Sequence, residues 1–216
     1  MAITLYYGSG SPFAWRAQLA LEHKALPYEL KILSFAAGDT RKPEFVALNP
    51  RHRVPVLVDD DFVLYESSAI VEYLDEAYPG RGAPLFPGDV RTRAIIRRTI
   101  REVDEDFDAA LDPLTTQAFS KKPEERDAAA IANARKGLVD ELALFSRGMR
   151  GDYLAGPLSA ADYALYTLVA FLGRSQLRLP DLDADGMLTA ELRRWKARIE
   201  ALPYFGRTIP PHWRSS

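Results

Sequence analysis

The sequence predicts an α/β domain followed by an all-helical domain. Three observations carry that expectation. Up to Tyr78, β-prone runs alternate with helix-period patterns; a stretch crowded with glycine and proline follows; beyond it the apolar residues step by three and four.

The elements follow in order. Ile3-Thr-Leu-Tyr-Tyr7 is a β-prone apolar run, and Pro12 to about Lys24 reads as a helix with Leu19, Ala20 and Leu21 on its apolar stripe. Tyr28–Leu33 is a second strand candidate, and Pro43–Leu48 a short helical turn. Val56–Asp59 and Phe62–Tyr65 flank Asp60-Asp61 as a hairpin, although no glycine favours a primed turn there. A helix opening at Ser67 and running to about Tyr78 carries Ile70, Val71 and Leu74 on one side.

Gly80, Gly82, Pro84, Pro87 and Gly88 then break the pattern, which divides the chain into a first domain at 1–79, a linker at 80–89 and a helical domain at 90–216. In the helical domain one stripe runs Ile96, Ile100, Val103, Phe107, Leu111, Leu114. Others are Ile131, Leu138, Leu142, Phe145, Met149; Ala161, Leu165, Leu168, Leu172; and Leu188, Leu192, Trp195, Ile199, Leu202.

Composition narrows the function classes. The chain has 216 residues, 47% apolar and 27% charged, which is ordinary for a soluble globular protein. A net charge of −2 supplies no global field to recruit nucleic acid or an anionic membrane, so neither is expected as a partner. The absence of cysteine excludes disulfides and any mechanism in which the protein supplies a thiol. His23, His52 and His212 lack the spacing of metal ligands, so no metal is expected. Met-Ala-Ile-Thr-Leu reads as a first strand and not as a secretion signal, and Tyr163–Leu172 is about half the length of a membrane span. A cytoplasmic protein is expected.

Several positions carry chemistry. Ser11 lies where the first strand hands over to a helix, with Pro12 at the first helical position. A serine there is a common N-cap, and it also faces the positive end of a helix dipole, a place suited to an anion. The two roles are compatible, because a cap uses the oxygen as acceptor and leaves the hydroxyl proton to donate outward. Val54-Pro55 sits directly before a strand, either as an ordinary first-residue proline or as a cis peptide that turns the Val54 backbone toward an extended ligand. Glu66 and Ser67 lie at the second strand-to-helix junction. Ser67 reads as an N-cap, or as a carboxylate holder beside a glutamate that meets an ammonium; together they suit an amino-acid head group. Arg53 is placed to pair with a further carboxylate or to remain solvated.

The second domain offers less. Arg91, Arg93, Arg97, Arg98 and Arg101 precede Glu102, Asp104, Glu105, Asp106 and Asp108, which reads as a solvated face or as a helix lying antiparallel to its copy in a two-fold dimer. Ser159-Ala-Ala-Asp162 is a capping-box pattern with a structural role.

The order of these landmarks resembles the cytosolic glutathione transferase family along nearly the whole chain. The matching segments are S-P-F-A-W-R-A-Q-L-A-L from Ser11, N-P-R-H-R-V-P-V-L from Asn49, E-S-S-A-I-V-E-Y-L from Glu66, and the box at Ser159. The resemblance implies a thioredoxin-like first domain and an all-helical second one, acting on glutathione as co-substrate and a small hydrophobic electrophile; a homodimer is expected from the arginine–acid pattern. The resemblance makes Ser11 the residue that activates the thiol, with Ser9 as an alternative in the same turn. Val54 becomes the backbone partner of the cysteinyl unit, Pro55 a cis-proline, Glu66 and Ser67 the clamp on the γ-glutamyl group, and Arg53 the partner of the glycine carboxylate. S-P-F looks like the serine-using members, whereas Tyr6 and Tyr7 fall within the first strand. Phe13 stands where isomerase-type relatives with S-S-C carry cysteine.

An electrophile pocket is expected between the domains, with Phe13, Phe35, Phe107, Leu111 and Thr115 as candidates and core packing as their alternative role. Two other activities fit the same residues: a non-catalytic binding or scaffold protein on this fold, and glutathione-dependent peroxide reduction.

Overall fold

The computed structural model describes residues 2–213. They form two compact units: the chain up to Phe86 together with the residues from Pro203 onward, and Pro87–Leu202.

The first unit is built on a four-stranded sheet. Strands β1 (Ile3–Gly8), β2 (Tyr28–Leu33), β3 (Val56–Asp59) and β4 (Phe62–Tyr65) lie in the order β2-β1-β3-β4. β1 runs parallel to β2 and antiparallel to β3, with Leu5 opposite both Leu30 and Leu57. Alternation places Ile3, Leu5 and Tyr7 in the core, as a half-buried strand requires. The β3–β4 hairpin closes on Asp60-Asp61 without glycine, because Asp60 itself takes the left-handed conformation at φ +52°.

Three helices pack in this unit ahead of the chain's return: α1 (Pro12–His23), α2 (Pro43–Val46) and α3 (Ser67–Ala77). Every residue of α1 from Ala14 to Leu21 is buried, including Arg16 and Gln18. Helix α2 is shorter than the Pro43–Leu48 turn read from the sequence. Ser67 is the first residue inside α3 and not its cap; Glu66 occupies the cap position at φ +73°, with no side-chain bond to the helix. This corrects the N-cap reading of Ser67.

Lys24, 1% exposed, forms an ion pair with Asp75 at 3.0 Å. Asp75 also accepts from the amides of Leu85 at 2.8 Å and Phe86 at 3.1 Å, so α1, α3 and the start of the Gly/Pro-rich stretch share one carboxylate. The chain returns to this unit in α9 (Phe205–Thr208), where Thr208 Oγ1 accepts from the Trp15 indole at 2.9 Å.

The second unit is helical among its described residues. α4 (Val90–Glu102), capped by Asp89, passes through a widened π turn at Val103–Phe107 into α5 (Asp108–Thr115) and a second such turn at Thr116–Ser120. α6 (Ala128–Gly148), α7 (Ala160–Ser175) and α8 (Ala190–Glu200) follow. Ile96, Ile100, Val103, Phe107, Leu111 and Leu114 are all buried, so the first stripe holds its phase across the π turn. On the opposite face Arg98 pairs with Glu102 at 3.1 Å and Arg101 pairs with Glu105, so these arginines meet acids of their own helix.

The capping box forms at the head of α7. Asp162, fully buried, accepts from the Ser159 amide at 2.9 Å, the Ser159 hydroxyl at 3.0 Å, the Leu154 amide at 3.0 Å and the Trp195 indole at 2.9 Å. Burial pushes its carboxyl up to about 6, while these donors pull the other way. No helix among the described residues is long and apolar enough to cross a membrane.

Candidate active site

The turn from Gly8 to Ser11 is the centre of the candidate site. The Ser11 amide donates to the Gly8 carbonyl at 2.9 Å, which closes the turn, and Gly10 adopts φ +88°, a conformation that favours glycine. Ser11 caps α1: its Oγ accepts from the Ala14 amide at 3.3 Å and its carbonyl accepts from Trp15 at 3.0 Å. Pro12 has no N–H, which leaves the amide of Phe13 as the first-turn donor that the helix does not use. The half-buried Ser11 hydroxyl accepts in its cap bond and keeps its own proton for a second partner.

Gly8 shows what gathers around this turn. A Cβ placed there would lie 2.3 Å from Phe35 Cζ and 2.9 Å from Val54 Cγ2. The absence of a side chain therefore lets Phe35 and Val54 close on the strand end that carries Ser9 and Ser11. The Val54–Pro55 peptide is cis. Its approach is braced by Asn49, 2% exposed, whose side-chain amide donates to the Arg53 carbonyl at 2.8 Å and whose Oδ1 accepts from the Arg51 amide at 3.0 Å. The Arg53 side chain is exposed.

At the second helix start, Ser67 is buried and Glu66 exposed. The two helix starts are tied together: Arg16 on α1, 1% exposed, donates to Ser68 Oγ on α3 at 3.0 Å. Arg16 also lies over the Phe13 ring, 5.3 Å from its centroid. Ser9 behaves differently from Ser11, because its Oγ lies 2.7 Å from Nδ1 of His212.

Of the electrophile-pocket candidates, Phe35 lies against Gly8 and Phe13 beside Arg16 in the first unit, whereas Phe107, Leu111 and Thr115 belong to the second. Phe35 is exposed, at 54%. Phe107 and Leu111 are buried in the helical unit, with Phe107 edge-on to Phe145 at 6.0 Å, and the Thr115 hydroxyl donates to the Asp112 carbonyl at 3.0 Å. Tyr7 is fully buried with its hydroxyl sealed from solvent, and Tyr6 packs beside Phe45. Among the described residues no group of three or more His, Asp or Glu side chains is placed to hold a metal ion.

Sequence reading missed Gly8, Asn49, Arg16 and His212. Gly8 and Asn49 are backbone supports with only a turn-like composition to mark them. Arg16 stands within an otherwise apolar helical stripe, a signal that was present.

The family model for the glutathione S-transferase N-terminal domain matches residues 10–77, a span holding Ser11, Val54, Glu66 and Ser67. Glutathione S-transferase A of Pleuronectes platessa is 31% identical across 99% of this chain and 94% of its own length. This chain belongs to the glutathione transferase family. Another relative within reach is a probable maleylacetoacetate isomerase of Vibrio cholerae, 31% identical over 97% of this chain and 96% of its own. Among solved structures, a glutathione S-transferase of the Antarctic clam Laternula elliptica superposes with a TM-score of 0.84 at 28% identity, covering 100% of this chain and 95% of that one. For a glutathione transferase, a thioredoxin-like sheet unit carrying the Ser11 turn and a separate helical unit are the expected parts, and both are present.

Proposed function

We propose that this protein is a glutathione transferase of the serine type, which holds glutathione as a thiolate against Ser11 and directs it at an apolar electrophile. The observation that carries this reading is the state of the Ser11 hydroxyl: its oxygen caps α1 and its proton is left to donate. The burial of Tyr7 supports serine over tyrosine as the thiol partner, because a sealed phenol has no access to a ligand.

The chemistry needs little from the protein. A free thiol has a pKa of about 8.5, so only a few per cent is thiolate at neutral pH. A hydrogen bond donated by Ser11, added to the dipole of α1, favours the charged sulfur. Lowering the pKa by about two units requires about 2.7 kcal/mol of differential stabilisation. Ser11 acts as a donor and keeps its proton, while the sulfur lone pair forms the new bond to carbon. The thiol proton goes to solvent as the thiolate forms; in a substitution the leaving group departs with the electron pair of the broken bond, and in an addition the π pair becomes a carbanion that takes a proton from water.

The rest of the tripeptide is assigned by chemistry. Val54 offers its backbone to the cysteinyl unit beside Pro55, Glu66 meets the γ-glutamyl ammonium, and Ser67 with the α3 amides meets its carboxylate. Arg53 takes the glycine carboxylate. Phe35 against Gly8, and Phe13 one residue past Pro12, give the electrophile an apolar surface beside the sulfur. Phe13 in place of a cysteine favours transfer over isomerisation, and a homodimer is the proposed assembly.

Calorimetric titration with glutathione tests the reading, followed by turnover with an aryl halide and, separately, with a hydroperoxide. Binding with aryl-halide turnover supports it. Binding without turnover on any electrophile makes the protein a binder on this fold, and absence of heat at millimolar glutathione removes the assignment.

A further inference from the structure

Ser9 and His212 stand 203 positions apart in the chain, yet Ser9 Oγ and His212 Nδ1 are separated by 2.7 Å. The other ring nitrogen sets the direction of that bond. Trp213 Nε1 lies 2.9 Å from His212 Nε2, and an indole nitrogen only donates. Nε2 is therefore an acceptor, and the single proton of the neutral imidazole sits on Nδ1. His212 donates to Ser9, and Ser9 keeps its own proton for a different acceptor. The same tautomer excludes a general-base dyad, since the nitrogen facing Ser9 already carries hydrogen.

The imidazole is held where it is by neighbours on both sides. A Cβ on Gly10 would lie 2.8 Å from His212 Cε1, so the ring packs directly on the Gly10 backbone between the two serines of the turn. Trp213 meets Trp15 of α1 edge-on at 5.3 Å, and its amide donates to the Pro210 carbonyl at 2.8 Å. Residues 210–213 thus lie against the Gly8–Ser11 turn and the helix that Ser11 caps.

We propose that His212 is a positioning residue for glutathione activation. By donating to Ser9 it orients the Ser9 hydroxyl proton outward, and Ser9 joins Ser11 in donating to the thiolate. This rests on the reading of the Ser11 turn as the thiol site.

The test uses the whole protein with glutathione, titrating the bound thiol by its ultraviolet thiolate absorbance and measuring kcat and KM with an aryl halide. H212A removes the donor, and His212 is exposed, so the melting temperature is expected to stay unchanged. Loss of one neutral hydrogen bond predicts a bound thiol with a raised pKa and kcat reduced about fivefold, with little change in KM for glutathione. H212F keeps a ring over Gly10 without an N–H and behaves like H212A. H212N retains an N–H near the Nδ1 position and recovers most of the loss. S9A matches H212A, and the double variant is no worse than S9A alone. A wild-type thiol titration in H212A or H212F, or fully multiplicative effects of S9A and H212A, overturns the role of His212 while leaving the transferase reading intact. Absence of glutathione binding by the wild type overturns both.

Discussion

The indole of Trp195 on α8 donates to the buried carboxylate of Asp162 on α7 at 2.9 Å, and through it reaches the serine that begins α7. One fully buried side chain therefore satisfies a helix start, a loop amide at Leu154 and a tryptophan. Replacing Asp162 with Ala strands all of these donors. A loss of about 3 kcal/mol or more in denaturant-induced unfolding is expected, the range seen when a buried hydrogen-bonded charge is deleted.

Asp162 also predicts a pH signature. Its carboxyl, raised by burial from 3.8 to about 6, binds its proton more tightly in the folded than in the unfolded chain. Its contribution to stability therefore falls as pH rises from about 4 to about 6 and is level above that. The stability difference between the wild type and D162N, followed by denaturation across that interval, is expected to shrink with rising pH.

Asp75 joins α1, α3 and the segment at Leu85–Phe86. D75A leaves the Lys24 ammonium buried and the two amides without their acceptor, so about 3–5 kcal/mol of stability is expected to go. Replacing Lys24 and Asp75 together by apolar residues restores part of this, and urea midpoints for the single and double variants measure how much.

Ser11→Ala separates activation from binding. The bound glutathione thiol is expected to titrate at a higher pH in S11A, with turnover at neutral pH falling about tenfold or more and the calorimetric affinity nearly unchanged. Identical thiol titrations in the two proteins would remove Ser11 from the activating role.

Glu66→Gln acts in the opposite way. It removes the charge assigned to the γ-glutamyl ammonium, so weaker glutathione binding by about tenfold is expected, with kcat at saturation little altered. An E66Q affinity equal to wild type, measured by the same calorimetry, detaches Glu66 from the ligand.

Much of the molecule was legible as local pattern. Period two in Ile3–Tyr7 and period 3.6 in the helical stripes report burial directly, because each element must turn one face to a core. The Asp60-Asp61 hairpin was readable from its flanks alone, even though Asp60 had to supply the left-handed turn that glycine usually provides. At Ser67 the local signal misled. A serine before an apolar helix resembles a cap, but the strained φ of Glu66 shifts the helix start so that Ser67 lies inside it.

Residue order alone determined the α/β-then-helical division, the strand and helix positions, and the serine at the head of α1, since each depends on neighbours a few positions away. Only the tertiary structure decided that Val54 and Phe35 close over Gly8, that Arg16 bridges two helix starts, and that His212 comes back to Ser9. Those contacts join segments far apart in the chain. They depend on how the sheet, α1 and the returning segment pack together, and no periodicity within any one segment records that.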